Sequence, residues 1–116
     1  MPTDGTIGSD ERMLDIVEAL KRQTTTSVTD LATEVEMPKS TVHAHLSTLK
    51  DRGYVVQSDD KRYQLSLQFL DIGMEVRETQ AMYDEVVPKL DEIAEESNEK
   101  AWWVVEENGQ AVFLAK

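Results

Sequence analysis

The chain has 116 residues, 40% of them hydrophobic, and a formal net charge of −11, which leaves room for one compact domain and an appendage but not for two full domains enclosing a ligand cavity. Its apolar residues come in short periodic groups, none near the roughly 18 residues that span a bilayer, and no basic and apolar leader opens it, so a soluble, cytoplasmic protein is expected. It contains no cysteine, which excludes disulfides and thiolate metal sites and leaves stability to packing.

Residues 1–9 are small and polar, with two glycines and a proline, and are expected to form a mobile arm. From Asp10 to about Gln23 the spacing predicts a helix with Met13, Leu14, Val17 and Leu20 on one face and Ser9 or Asp10 as its cap. Thr24 to Ser27 reads as a connector. Thr29 or Asp30 then caps a short second helix, with Leu31, Ala32 and Val35 inward, that ends near Glu36. Pro38 suits the first turn of a third helix, where its missing N–H has no helical partner anyway, and Gly53 suits the left-handed position past the end.

Between Pro38 and Gly53 the residues Val42, Leu46 and Leu49 make a core stripe. The opposite face carries Ser40, Ala44 and Ser47, flanked by Lys39, His43 and Lys50. Tyr54 to Gln57 and Arg62 to Leu65 then read as two strands joined through Ser58-Asp59-Asp60-Lys61. Two short helices, a turn and a hairpin in this order form a winged helix-turn-helix. A helix whose outer face is small, polar and basic can enter a DNA major groove, about 12 Å wide, and reach base edges. The expected partner is therefore double-stranded DNA.

Charge is distributed accordingly. Residues 1–36 carry 3 basic and 8 acidic side chains, residues 37–64 carry 5 and 3, and residues 65–116 carry 4 and 12. The segment expected to face DNA is thus the positive one in a chain whose total charge repels phosphate. The acidic remainder reads as the surface of a protein from a salt-rich, halophilic cytoplasm, where screening shortens the reach of carboxylate repulsion.

Leu67 to about Thr79 predicts a further helix with two apolar stripes, Leu67, Leu70 and Met74 on one side and Phe69, Ile72 and Val76 on nearly the opposite side. One stripe is expected to pack on its own domain and Phe69, Ile72 and Val76 to dimerise, because such a stripe is uncommon on a monomer; the plainer alternative buries both within one chain. Tyr83 to Ser97 is a second amphipathic helix with Val86, Val87, Leu90, Ile93 and Ala94 as its apolar side, Pro88 within it and Asn98 as a left-handed cap. Ala101–Val105 and Gln110–Leu114 flank Asn108-Gly109, the strongest short hairpin signal. Carrying Trp102, Trp103 and Phe113, this hairpin reads as the opening of a larger sheet, unless a second copy supplies the missing strands or it packs on the preceding helix.

Ser40, Thr41, His43 and Ser47 are the candidates for base or phosphate contact, and Lys39, Lys50, Arg52, Lys61 and Arg62 for phosphate neutralisation, although any one of these is as ordinary on a solvated surface. Asp59 and Asp60 argue against deep insertion of the wing tip. His45 points toward the core side and is expected to be a partly buried, hydrogen-bonded histidine. No enzyme is expected: His43 and His45, two apart, diverge on a helix and cannot share a metal, and no phosphate-cradling loop or nucleophile constellation is present. Neither a metal nor another cofactor is called for.

Leu31-Ala32, Pro38-Lys39-Ser40-Thr41-Val42-His43, Leu46 to Leu49, Gly53-Tyr54-Val55, Tyr63-Gln64-Leu65 and Leu70-Asp71-Ile72-Gly73 together resemble the isocitrate lyase regulator (IclR) family of transcription factors. The resemblance implies an N-terminal winged helix, a linker helix, a C-terminal α/β domain that senses a small effector, and operator binding as dimers or tetramers with either repression or activation. The chain departs from the family's usual Gly at Glu36, Arg at Ala44 and apolar residue at His45, so base contacts are not carried over there. Pro88 to Glu99 and the Trp102 strand match the start of the effector domain, whose remainder is absent, so no effector binding of the family's kind is expected.

The resulting expectation is a mainly α chain with small β elements: an arm at 1–9, a winged helix DNA-binding domain at 10–66, a linker and dimerisation helix at 67–82, and the start of an incomplete effector-binding domain at 83–116. Its function is DNA-binding transcription regulation as a homodimer or higher homo-oligomer, without membrane association. The competing reading is a protein-interaction module whose acidic winged helix does not bind DNA specifically.

Overall fold

Three helices wrap the first core. In the computed structural model, which describes residues 5–116, helix α1 (Gly8–Arg22) carries Asp10 and Glu11 in its first turn and Lys21 and Arg22 in its last, the charge order that complements a helix dipole. It begins two residues before the expected Asp10 and follows Ile7, whose side chain makes no capping bond, so neither Ser9 nor Asp10 is the cap. Of the expected arm, residues 1–4 lie outside the described residues, and Gly8 and Ser9 are helical. Its buried face is Ile16, Ala19 and Leu20, with Met13 and Val17 packed beside them. Leu14, expected inward, is 54% exposed, because the core takes the adjacent face one step around the helix.

Helix α2 (Val28–Val35) is capped by Ser27, whose hydroxyl accepts the Asp30 N–H at 3.1 Å. The cap is Ser27 and not Thr29 or Asp30, which are already inside the first turn. The helix ends on Glu36 in the left-handed region (φ 56°), with Met37 N–H donating to Ala32 O at 3.1 Å, a Schellman closure. Leu31 and Ala32 are buried, Val35 half-buried.

Pro38 caps helix α3 (Lys39–Asp51) from just outside, and its carbonyl accepts the N–H groups of Thr41 and Val42. Gly53 takes φ 84° and the Tyr54 N–H reaches back to Leu49 O at 2.8 Å, the left-handed stop that only a residue without Cβ adopts freely. Val42, Leu46 and Leu49 are buried as the stripe predicts.

The chain then forms β1 (Val55–Gln57) and β2 (Tyr63–Leu65), antiparallel, with Val55 opposite Leu65 and Gln57 opposite Tyr63. Thr26 adds a one-residue bridge on the free side of Tyr63, so the connector between α1 and α2 also serves as a short third strand. Val55 and Tyr63 alternate inward and complete the core over Leu31 and Leu46. These elements are a winged helix-turn-helix.

Helix α4 (Gln68–Glu78) starts as Ser66 Oγ accepts the Gln68 N–H and donates to Gly53 O. The chain divides into two units between Leu70 and Asp71, inside this helix. No residue of α4 is buried.

The second unit holds α5 (Tyr83–Ser97), which ends on Asn98 at φ 56° as expected. Strands β3 (Trp103–Glu107) and β4 (Gln110–Ala115) follow, joined by Asn108-Gly109 with φ of 51° and 77°, the two positive values a type I′ hairpin turn requires. Strand β3 lies two residues later than expected, since pairing Glu107 with Gln110 across the turn fixes the register. Leu90 is buried, and Tyr83 stacks on Trp103 with ring centroids 6.1 Å apart. Ile93, expected on the apolar side of α5, is exposed, and so are Trp102 and Phe113, which pair edge to face at 5.4 Å.

Candidate nucleic-acid interface

The outer surface of α3 is built by the same periodicity that buries Val42, Leu46 and Leu49. With those three inward, Lys39, Ser40, His43, Ala44, Ser47 and Lys50 are all exposed. Thr41 is half-buried on the flank nearer the core, and so is His45, for which the described structure offers no hydrogen-bond partner. The Thr48 hydroxyl is absorbed by its own helix, donating to Ala44 O at 3.2 Å, which leaves the hydroxyls of Ser40 and Ser47 as the short polar groups on the outer surface. Lys50 Nζ donates to Gln57 Oε1 at 3.0 Å, linking the last turn of α3 to the first wing strand. Gln57 joins this surface although sequence reasoning did not single it out; its signal was its place at the end of the strand that follows Gly53.

The wing presents Ser58 to Lys61. Ser58 N–H donates to Arg62 O and Lys61 N–H to Ser58 O, both at 2.9 Å, while the Ser58 hydroxyl donates to an Asp60 carboxylate oxygen. Lys61 is exposed at φ 62°.

Two of the expected cations are elsewhere. Arg52 follows α3 on the flank away from Lys39 and Lys50 and lines a cavity of about 310 Å³ with Leu14, Val17, Tyr54 and Phe69. Arg62 is half-buried, its guanidinium turned onto Thr25. Five of the expected groups, Lys39, Ser40, His43, Ser47 and Lys50, thus share one exposed surface, with Lys61 on the neighbouring wing.

For the expected dimerisation residues, Phe69 packs its ring edge to face on Tyr54 at 5.6 Å, whereas Ile72 and Val76 are 38% and 55% exposed. The stripe expected to pack on its own domain is exposed as well, at Leu67, Leu70 and Met74. The pairing with Tyr54 explains the inversion, because it gives Phe69 a side of α4 that Leu67 and Leu70 then cannot share.

Among the described residues no cluster of His, Cys, Asp or Glu could hold a metal ion, and no helix is long and apolar enough to cross a membrane.

Comparison with known proteins agrees with this architecture. Residues 10–59 match the model of the IclR helix-turn-helix domain. The chain is 28% identical over 101 residues to the probable HTH-type transcriptional regulator ArcR of Halobacterium salinarum, covering 87% of this chain and 38% of that protein. It is 35% identical over 63 residues to the HTH-type transcriptional regulator KdgR of Escherichia coli, covering 53% of this chain and 24% of that one. Among solved structures, HmgR of Pseudomonas aeruginosa superposes with a TM-score of 0.73 at 30% identity over 92% of this chain and 47% of that one. IclR of Thermotoga maritima superposes with 0.70 at 22% identity over 91% and 42%, a likeness of fold. The chain spans less than half the length of each of these relatives. The family likeness is carried by residues 10–59, which are similar to the IclR helix-turn-helix domain.

Proposed function

We propose that the protein is a transcription regulator that binds double-stranded DNA with α3 in the major groove and the wing on the phosphate backbone. The observation that carries this reading is the exposed surface shared by Lys39, Ser40, His43, Ser47 and Lys50, within the segment of positive charge in a chain of net −11. Ser40, His43 and Ser47 are the base readers and Lys39, Lys50 and Lys61 the phosphate contacts; Thr41 is left out as half-buried, Arg52 as lining an apolar recess and Arg62 as bonded to Thr25. Residues 10–66 form the reading domain and residues 67–82 a linker whose Ile72 and Val76 pair with a second copy, giving a homodimer suited to half-sites about 10 base pairs apart. Residues 83–116 are the opening elements of an effector-binding domain, a helix followed by a two-stranded sheet. The work is binding, not catalysis, and it belongs in the cytoplasm with the DNA.

Selection of duplexes by the full chain, followed by titration against KCl, tests this. Replacing Lys39 by Ala is expected to reduce the slope of log affinity against log salt by about 1, the change that follows when one phosphate is no longer neutralised. A double reversal, Lys39→Glu with Lys50→Glu, is expected to abolish binding while leaving the oligomeric mass unchanged. The competing interaction-module reading draws on the exposure of Trp102 and Phe113, 50% and 63%. Wild-type affinity in the double reversal would favour it.

A further inference from the structure

Arg62 stands on the last loop position before β2, where the side chain of a wing residue would ordinarily reach outward. Instead its Nε donates to Thr25 Oγ1 at 2.9 Å and its Nη2 donates to Thr25 O at 3.0 Å, across 37 positions of sequence. The backbone continues the seam: Tyr63 N–H donates to Thr26 O at 2.8 Å and Thr26 N–H to Tyr63 O at 3.0 Å. Thr26 and Tyr63 are both buried there. Four hydrogen bonds therefore hold the inner edge of the wing to the connector between α1 and α2.

This matters because the wing is a ribbon of two three-residue strands, too short to hold its own direction in water. Its angle to α3 is set by what its edges are tied to. On the outer edge the tie is Lys50 to Gln57; on the inner edge it is Arg62 to Thr25. The recess that Arg62 lines also carries Asp30 and Glu34 of α2, and with Glu34 paired to Arg22 at 3.2 Å the Asp30 carboxylate opposes the approach of a phosphate. We infer that Arg62 is a positioning residue. It clamps the wing so that Lys61 and the wing tip stand at a fixed distance from α3, and it is not itself a phosphate contact. A guanidinium suits the task because Nε and Nη2 present two donors in a rigid plane, a geometry that the single ammonium of lysine cannot reproduce.

The inference rests on the DNA-binding reading, and the test separates the two. In the full chain without DNA, Arg62→Lys is expected to accelerate amide hydrogen exchange at Thr26 and Tyr63 by about tenfold, the loss of one charge-assisted hydrogen bond, with Leu46 and Leu49 of α3 unchanged. Thr25→Val, which removes the Oγ1 acceptor and no charge, is expected to act in the same direction and serves if an Arg62 variant does not fold. With a mixed-sequence duplex, Arg62→Lys is expected to lose as much affinity as Arg62→Met. Wild-type exchange at Thr26 and Tyr63 together with wild-type affinity in Arg62→Lys would overturn the clamp and make Arg62 a phosphate contact. If the wild-type chain binds no duplex, the DNA reading fails, and exchange alone decides: faster exchange supports the clamp, unchanged exchange overturns it.

Discussion

Glu36 sits at φ 56° and ψ 46°, where the Schellman closure of α2 demands a left-handed residue. An L side chain in that region costs about 1–2 kcal/mol, part of which a glycine would give back through the entropy of its unfolded state. Glu36→Gly is therefore expected to raise the unfolding free energy by about 0.5–1 kcal/mol, read as a higher urea midpoint at constant slope. A lower midpoint would mean that the Glu36 side chain contributes something the backbone account omits. Residue by residue, the sequence was most legible where one pattern had one solution. Val42, Leu46 and Leu49 have no competing apolar neighbours on α3, and all three are buried. Helix α1 has apolar residues at 13, 14, 16, 17, 19 and 20, two overlapping stripes, and only the contact with α2 and β2 selects Ile16 and Ala19 over Leu14. Ser27, Thr29 and Asp30 are all good caps, and the choice among them is made by where the helix begins.

At the level of elements, α4 is the helix with no buried residue. Ile72 and Val76 are exposed, although Val76 also borders an apolar recess with Val105, Val112 and Leu114. Ile72→Glu with Val76→Glu is expected to convert a dimer to a monomer by light scattering while the far-ultraviolet circular dichroism of the winged helix is kept. A wild-type chain that is already monomeric, or a variant of unchanged mass, would count against dimerisation through this helix. Both stripes of α4 were visible as spacing, yet which one packs at home turned on a single aromatic contact, Phe69 on Tyr54. The hairpin was easier, because Asn108-Gly109 names its own turn, and only the register of β3 moved. The wing lies between these cases. Its strands were evident, whereas the third strand at Thr26 and the tie from Arg62 link residues far apart in sequence and leave no local pattern.

For the whole molecule, charge is the governing quantity. Residues 65–116 carry 4 basic and 12 acidic side chains, and the side-chain ion pair among the described residues, Arg22 with Glu34 at 3.2 Å, lies outside that segment. Repulsion between these carboxylates reaches about 10 Å at 0.1 M salt and about 3 Å at 1 M. Raising KCl across that range is expected to increase the midpoint of thermal unfolding, followed by circular dichroism, while the same change weakens association with DNA because counterion release from the phosphates then gains less. A midpoint that does not move with salt would remove the account of the acidic surface as an adaptation to it.

Legible from the chain alone were the order and type of the elements, the stripe that buries α3 and hence which side of that helix faces out, and the net positive charge of residues 37–64, because periodicity and charge are local properties. Which cations share the outer side of α3 depends on packing. Arg52 and Arg62 carry the same charge as Lys39 and Lys50, but one borders an apolar cavity and the other grips Thr25. A side chain's direction is set by the partner that folding brings to it, and the partner of Arg62, Thr25, lies 37 positions away.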